Sequence, residues 1–340
     1  MPPLDSTAMR RFNIHGAALQ LNGALSLLNH QIDHWLGMFH VEQDDATPAI
    51  TGTLQRYEQR EVLRTLSPRA VRLATPGLEM GGLMELYQED ERFWLVDDRW
   101  GMAELNLLKG TWRSWILPQP TLDPVRCAEL AVLWPMAQVM RSRGLHFLPA
   151  SSMARDGLGV LILAPMGIED ELAALVQGGF HMIGQRWSCL RSEGDAIEML
   201  HMAGEVPSLV PRLTDGTDQK WVDLEELNCG STAQSAECNM VLVVEAARRP
   251  VAHAKSVPPQ LALNHLRRSW PIVELHRGRR QLPMKLASRC RCISVQLSRR
   301  PQDLLVLLSS LGNGEQATSV GEAPHGKRDR RFVHATVKAA

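Results

Sequence analysis

The sequence predicts an α/β protein, α+β overall, in which a C-terminal α/β domain follows a smaller α+β domain. Three observations carry this. The stretch from Gly144 to Trp187 reads as strand, turn, strand, loop, helix, strand. Between Glu79 and Trp115, four short runs rich in aromatic and branched residues alternate with turn residues, the pattern of an antiparallel meander. Asn239 to Glu245 is an apolar, Val-rich run, the pattern of a strand buried on both faces.

In chain order, residues 1 to about 12 carry no periodic pattern and are expected to be loose. Leu21, Leu25, Leu28, Ile32 and Trp35 recur at spacings of three and four, which predicts one amphipathic helix over Ala17–Trp35, ended near Gly37. His30, Asp33 and His34 lie on it, with His40 just beyond. Two His at i and i+4 share a helix face and suit a metal, but no third ligand accompanies them, so a solvated face is the expectation. In the meander, the strands centre on Leu83–Tyr87, Arg92–Val96, Ala103–Leu107 and Trp112–Ile116. Asp97-Asp98 sits at one of its turns, where Asp is ordinary turn chemistry rather than a metal site. Asp123-Pro124 then opens a helix as cap and first-turn proline. Cys127, Leu130, Leu133, Trp134 and Val139 form its apolar face to about Arg143. The domains predicted are 1–143, 144–311 and a disordered tail, 312–340, poor in apolar residues.

Within the central stretch, Val160–Leu163 runs into Ala164-Pro165-Met166-Gly167, and Leu172, Leu175 and Val176 then recur at helical spacing. Gly178-Gly179 stops that helix, and Phe180–Ile183 begins the next strand. Strand, glycine-bearing loop and helix is the setting of a phosphate-binding loop, whose chemistry requires a Lys for the phosphates and a Ser or Thr for Mg²⁺. From Asp156 to Gln185 there is no Lys, Arg, Ser or Thr, and Glu169, Asp170 and Glu171 follow the loop instead. Carboxylates in a first helical turn suit the helix dipole and repel a polyphosphate.

These residues make the stretch resemble the C-terminal domain of the HPr kinase/phosphorylase family, and more closely the HPr-kinase-related proteins of bacterial gene clusters. Leu145-His146, Gly159-Val160-Leu161-Ile162, Gly167 and Gly179 match the family frame. The resemblance implies a PEP-carboxykinase-like P-loop domain for residues 144–311, with a similar N-terminal segment that includes Leu95-Val96-Asp97-Asp98. It also implies a nucleotide site, whose positions here are Ala164, Gly167, Glu169, Asp170, Glu171, Gln185 and Arg186. The departures fall on the active groups. No register of the loop supplies a Lys, so the Walker A motif is degenerate. The family's Asp-Asp pair, which holds metal and activates the acceptor hydroxyl, falls at Gln185-Arg186. His146, which opens the family's hairpin, is a remnant of the site or a hydrogen-bonded core His, and the latter is the expectation.

Beyond Trp187, Ser192–Asp195 is a hairpin turn, while Glu205–Trp221 and Cys229–Glu237 read as irregular surface loops. A helix follows Pro258-Pro259 with Leu261, Leu263 and Leu266. Leu282–Ala287 is a helical segment or turn, Cys292–Leu297 an alternating strand, and Pro301–Leu311 a Leu-rich helix. The densest basic patch holds Arg277, Arg279, Arg280, Arg289 and Arg291. It suits a phosphorylated or anionic ligand. Aromatic interleaving is poor, so nucleic acid is not expected, and pairing with the acidic stretch Asp156–Glu237 is the plainer reading.

At 340 residues and 44% hydrophobic content the chain has room for two packed domains, and a formal net charge of zero signals no polyanion partner. No secretion signal follows MPPLDSTAMRRF, no run approaches the roughly 18 apolar residues of a membrane span, and the six Cys form no C-x-x-C pair. Those features predict a cytoplasmic location with reduced thiols. The functional expectation is a catalytically inactive HPr-kinase-like protein, a pseudokinase, that binds a protein or peptide, with no cofactor. Its alternative is an ATP- and Mg²⁺-dependent serine kinase with a relocated phosphate site. A second copy of the chain is a further candidate partner.

Overall fold

The computed structural model describes residues 5–24, 26–42, 50–57, 68–73, 85–164, 168–202, 205–207, 221–223, 233–245, 249–250, 252–269 and 281–312. The chain divides into two units, Met1–Phe147 with Pro271–His276, and Leu148–Trp270 with Arg277–Ala340. No helix among the described residues is long and apolar enough to cross a membrane.

The first unit is built on an eight-stranded sheet of order β1-β2-β3-β8-β7-β6-β5-β4. Its strands are β1 (Asp5–Ile14), β2 (Ala17–Ala24), β3 (Ile50–Arg56), β4 (Val71–Leu73), β5 (Glu85–Glu89), β6 (Arg92–Asp97), β7 (Gly101–Asn106) and β8 (Thr111–Ile116). The meander of β5 to β8 is antiparallel throughout. β3 pairs in parallel with both β2 and β8.

Two expectations change here. The segment before residue 12 is not loose from Asp5 onward, because Arg10–Ile14 pair in register with Leu21–Ala17. Ala17–Ala24 is a strand, and only α1 (Ser26–Leu36) is helical. The reason is a change of period. Ala17, Leu19 and Leu21 are buried while Ala18, Gln20 and Asn22 between them are partly exposed, a repeat of two. The repeat of Leu28, Ile32 and Leu36, all fully buried, is that of a helix.

Behind the meander runs a composite helix: α2 (Pro124–Ala128), a π-helical segment (Glu129–Leu133) and α3 (Trp134–Met140). It begins as expected, with the Asp123 side chain accepting from the Arg126 amide and Pro124 in the first turn. The π segment displaces backbone carbonyls from their usual donors, and Ser114 on β8 donates to the Ala131 carbonyl at 2.6 Å. That bond turns the row Ser114, Ala103, Leu95, Leu86, set by strand register, toward the helix. The opposite face carries a smaller cluster of Trp94, Met102 and Trp115, with Tyr57, Ala70, Tyr87 and Val96 against it.

The chain passes from one unit to the other within β9 (Leu145–Leu148). The second unit holds β10 (Ser151–Arg155), β11 (Leu158–Leu163), α4 (Glu169–Gln177), β12 (His181–Gly184), β13 (Ser188–Glu193) and β14 (Ala196–Leu200). There follow β15 (Glu205–Pro207), β16 (Trp221–Asp223), β17 (Ser235–Glu237), β18 (Met240–Glu245) and β19 (His253–Ser256). Last come α5 (Pro259–Ser269), α6 (Gln281–Arg289), β20 (Arg291–Gln296) and α7 (Gln302–Gly312). The short strands β15 and β16 pair, and β17 pairs with β14, where the sequence reads as loop. Expectations for the rest of those loops, and for a disordered tail after Gly312, fall outside the described residues.

Six strands form the main sheet, in the order β12-β10-β11-β18-β20-β19. Val160–Leu163 and Val241–Val244 are buried at every position, so both faces of these central strands are covered. Leu172, Leu175 and Val176 of α4 and Leu304, Leu307, Leu308 and Leu311 of α7 pack on Val160, Ile162, Leu242 and Ile293. Asp156 and Gly157, both with positive φ (52° and 79°), make the two-residue hairpin turn between β10 and β11. Just before that turn, Arg155 lies 4.6 Å over the Phe180 ring. It also donates to the Gly178 carbonyl and to Ser309 Oγ, both at 2.9 Å. A cation thus closes the negative end of α4 and joins it to α7.

Candidate functional site

β11, β18 and β20 run parallel. β10 is antiparallel to both β11 and β12, so β12 runs with β11. The carboxyl ends of β12, β11, β18 and β20 therefore leave the sheet on one edge. Neighbouring strands lie about 4.8 Å apart, so these ends span roughly 20 Å. That edge is where open α/β sheets bind ligands. It gathers Ala164 and Glu169–Glu171 after β11 and Gln185-Arg186 after β12, from the nucleotide-site positions the resemblance implies. Gly167 lies outside the described residues.

Ala164 is half-buried where β11 ends. α4 starts five residues later with no side-chain cap on Ile168, whose carbonyl accepts from the Leu172 amide at 2.9 Å. The first turn holds Glu169, half-buried, Asp170, exposed, and Glu171, 1% exposed. Glu171 is drawn inward because it shares the buried flank of the helix with Leu172 and Leu175.

At the end of β12 the chain makes a tight turn. Arg186 takes φ +60°, a left-handed conformation rare for a side chain this large. The Trp187 amide reaches back to the Gln185 carbonyl at 2.6 Å, closing a three-residue turn around Arg186. Trp187 is buried and anchors the turn, while Arg186 is exposed and Gln185 half-buried. Behind it, Ser188 Oγ donates to the Ala150 carbonyl and meets Ser152 Oγ, each at 2.9 Å. A Cβ on Gly184 would lie 2.8 Å from Ser152 Oγ, so a glycine is needed where these hydroxyls close on the strand.

The same edge presents Glu245, at the carboxyl end of β18. Ser294 donates to its Oε1 at 2.6 Å, and Gln296 donates to Oε2. Those hydrogen bonds, Ser294 first, hold the Glu245 carboxyl below the ordinary carboxylate range, with His265 and Arg249 adding positive charge nearby. Sequence reading passed over Glu245. The signal was present, since a single carboxylate ends the apolar run Met240–Val244, as it does where a strand delivers an acid to a site.

Other singled-out residues are placed elsewhere. His146 is half-buried on β9, in the first unit. Arg277, Arg279 and Arg280 lie outside the described residues, while Arg289 pairs with Asp195 at 3.0 Å and Arg291 donates to the Leu311 carbonyl. Asp33, between His30 and His34 on α1, pairs with Arg10 at 2.7 Å. Asp97 accepts three hydrogen bonds from Arg99. Among the described residues no three His, Cys, Asp or Glu converge in a way that would hold a metal ion.

No family model matches the chain, and no curated protein matches it. Among solved structures, the Hpr(Ser) kinase/phosphatase from Coxiella burnetii is similar at 11% identity and a TM-score of 0.30. The match covers 50% of this chain and 96% of that one.

Proposed function

We propose that this chain is a non-catalytic, HPr-kinase-like binding module whose partner is a protein or peptide. The observation that carries the reading is the charge at the carboxyl edge of the main sheet. Glu169, Asp170 and Glu171 occupy the first turn of the helix that follows β11. Gln185-Arg186 stands at the end of β12, where the resembling family places its metal-holding carboxylates. Two like charges about 4 Å apart repel by about 1 kcal/mol in water and about 4 kcal/mol at the effective dielectric of a protein surface. Phosphoryl transfer needs a cation on the transferring group and a ligated metal together. Each such electrostatic element is worth about 3 kcal/mol or more of transition-state stabilisation. No Lys, Arg, Ser or Thr occurs between Asp156 and Gln185 to supply the missing groups.

The alternative, a serine kinase with a relocated phosphate site, is favoured by one feature. Arg186 is exposed and held in a left-handed backbone conformation at this edge, with Glu245 fixed three strands away. Strained residues of this kind cluster at functional sites. Under that reading Arg186 supplies the cation, Glu245 a metal ligand, and ATP with Mg²⁺ is the cosubstrate. Titration with ATP, ADP and GTP, with and without Mg²⁺, separates the two. The Arg186→Ala chain resolves it further: loss of phosphate transfer supports the alternative, and retained transfer contradicts it.

A further inference from the structure

The five described cysteines, Cys127, Cys189, Cys238, Cys290 and Cys292, are buried free thiols. Two of them are brought together by strand pairing. Arg291 donates its amide to the Asn239 carbonyl at 2.8 Å, and Met240 stands opposite Arg291 in the parallel register of β18 and β20. Cys290, just ahead of β20, and Cys238, two residues ahead of β18, are thereby diagonal neighbours. Cys290 Sγ lies 3.8 Å from Cys238 Sγ and 3.1 Å from the Cys238 carbonyl oxygen. A one-residue diagonal between strands about 4.8 Å apart, at about 3.3 Å per residue, sets the two Cα atoms roughly 6 Å apart, inside the roughly 4.4–6.8 Å that a disulfide spans. Cys292 is not a competing partner in this geometry, because its Sγ faces the carbonyls of Cys290 (3.5 Å) and Leu286 (3.8 Å). Nor do these thiols make a metal site, since no three ligating side chains converge among the described residues.

We propose that Cys238 and Cys290 are an oxidation site, at which a peroxide converts the two thiols into a disulfide tying the amino ends of β18 and β20. The Cys290 sulfur attacks a peroxide oxygen. The O–O bond breaks, and the departing hydroxide takes the thiol proton as water, leaving a sulfenic acid on Cys290. The Cys238 sulfur then attacks the Cys290 sulfur. The S–O bond breaks, and hydroxide leaves with the Cys238 proton as a second water. Two thiols lose two electrons in all, and one peroxide becomes two waters. The Cys290 hydrogen bond, then burial, push the Cys238 thiol well up and slow its attack. The pair is 5% and 7% exposed, so oxidation is slow compared with an exposed thiol. The bond closes a ring over β18, β19, α5 and α6, and thus over Glu245 and Arg249 at the candidate edge. It does not depend on whether the chain transfers phosphate.

The test treats the folded full-length chain with excess hydrogen peroxide, alkylates the remaining thiols after unfolding, and maps peptides by mass spectrometry. The expected product is a crosslinked pair of peptides carrying Cys238 and Cys290, two hydrogens lighter than the separate peptides and reversed by a thiol reductant. The oxidised chain melts roughly 5 °C or more above the reduced one. Cys290→Ser abolishes both the crosslink and the shift. Recovery of Cys238 and Cys290 as alkylated thiols, or a crosslink joining Cys290 to Cys292 instead, overturns the proposal.

Discussion

Ser294 donates a hydrogen bond of 2.6 Å to Glu245, across the parallel pair that ends at the candidate edge. With Gln296 on the other oxygen, the carboxylate is fixed between two strands rather than left to water. Its folded pKa is lowered, so the folded state releases the proton more readily than the unfolded one. The stability this contributes is present above the unfolded value of about 4.3 and is lost as pH falls through the lower folded value. Glu245→Gln is therefore expected to cost about 1–2 kcal/mol at neutral pH. The difference from the parent chain should shrink below about pH 4. Urea midpoints of both chains between neutral and acidic pH measure this, and a pH-independent difference would contradict it.

The Asp97–Arg99 pair is the ground for a second prediction. The Asp97 carboxylate is fully buried and accepts from the Arg99 amide, Nε and the terminal guanidinium nitrogen. Burial alone would raise its pKa, but the Arg99 hydrogen bonds outweigh burial and lower it. Asp97→Ala leaves the turn without its acceptor and removes three hydrogen bonds from Arg99, at a cost of about 2–4 kcal/mol. Because Arg99 rather than a metal satisfies this carboxylate, a chelator should leave the melting temperature of the parent chain unchanged. A chelator-induced drop that Asp97→Ala abolishes would restore the metal reading.

Ser114→Ala probes the π segment. Its hydroxyl is buried and serves the Ala131 carbonyl. Removing it leaves that buried carbonyl without the donor, which costs about 1–3 kcal/mol, against near zero for an exposed Ser→Ala change. Thermal unfolding of Ser114→Ala beside Ser142→Ala, whose hydroxyl donates to the Val139 carbonyl at 2.7 Å but from an exposed position, provides the comparison. Equal midpoints would contradict the role given to Ser114.

Gly159 tests the approach of β11 to β17. A Cβ there would fall 1.9 Å from the Glu237 carbonyl oxygen, and the Gly159 amide donates to Asn239 Oδ1 at 2.8 Å. The obstacle is backbone, so one strand must move. Gly159→Ala is expected to cost about 3 kcal/mol or more, at the upper end of overpacking penalties. Wild-type stability for this variant would show that the strands do not meet as described.

The outline of the fold was legible where local periodicity is strong. The meander of β5 to β8, the Asp123 cap, the buried run of β18 and the helices α4 and α7 follow from spacing within each segment. The misread segment, Ala17–Ala24, has apolar residues that fit either period, and its pairing with β1 and β3 decided the outcome. The strand β19 was missed because His253-Ala254-Lys255-Ser256 has one buried residue and is fixed only by pairing with β20. At the candidate site, the carboxylates of α4 were legible because they are contiguous in sequence. Glu245 with Ser294, and Cys238 with Cys290, were not. Each pair joins residues about fifty positions apart, through a strand order that no local pattern encodes.

The central claim, that the loop and helix after β11 no longer accept nucleotide phosphates, is tested most directly by calorimetric titration of the full-length chain with ATP, ADP and GTP, each with and without Mg²⁺. The account predicts no binding heat up to millimolar nucleotide under either condition. Saturable, Mg²⁺-dependent binding in the micromolar range would contradict it, and would point to Arg186 and Glu245 as the groups that replace the missing lysine and metal ligands.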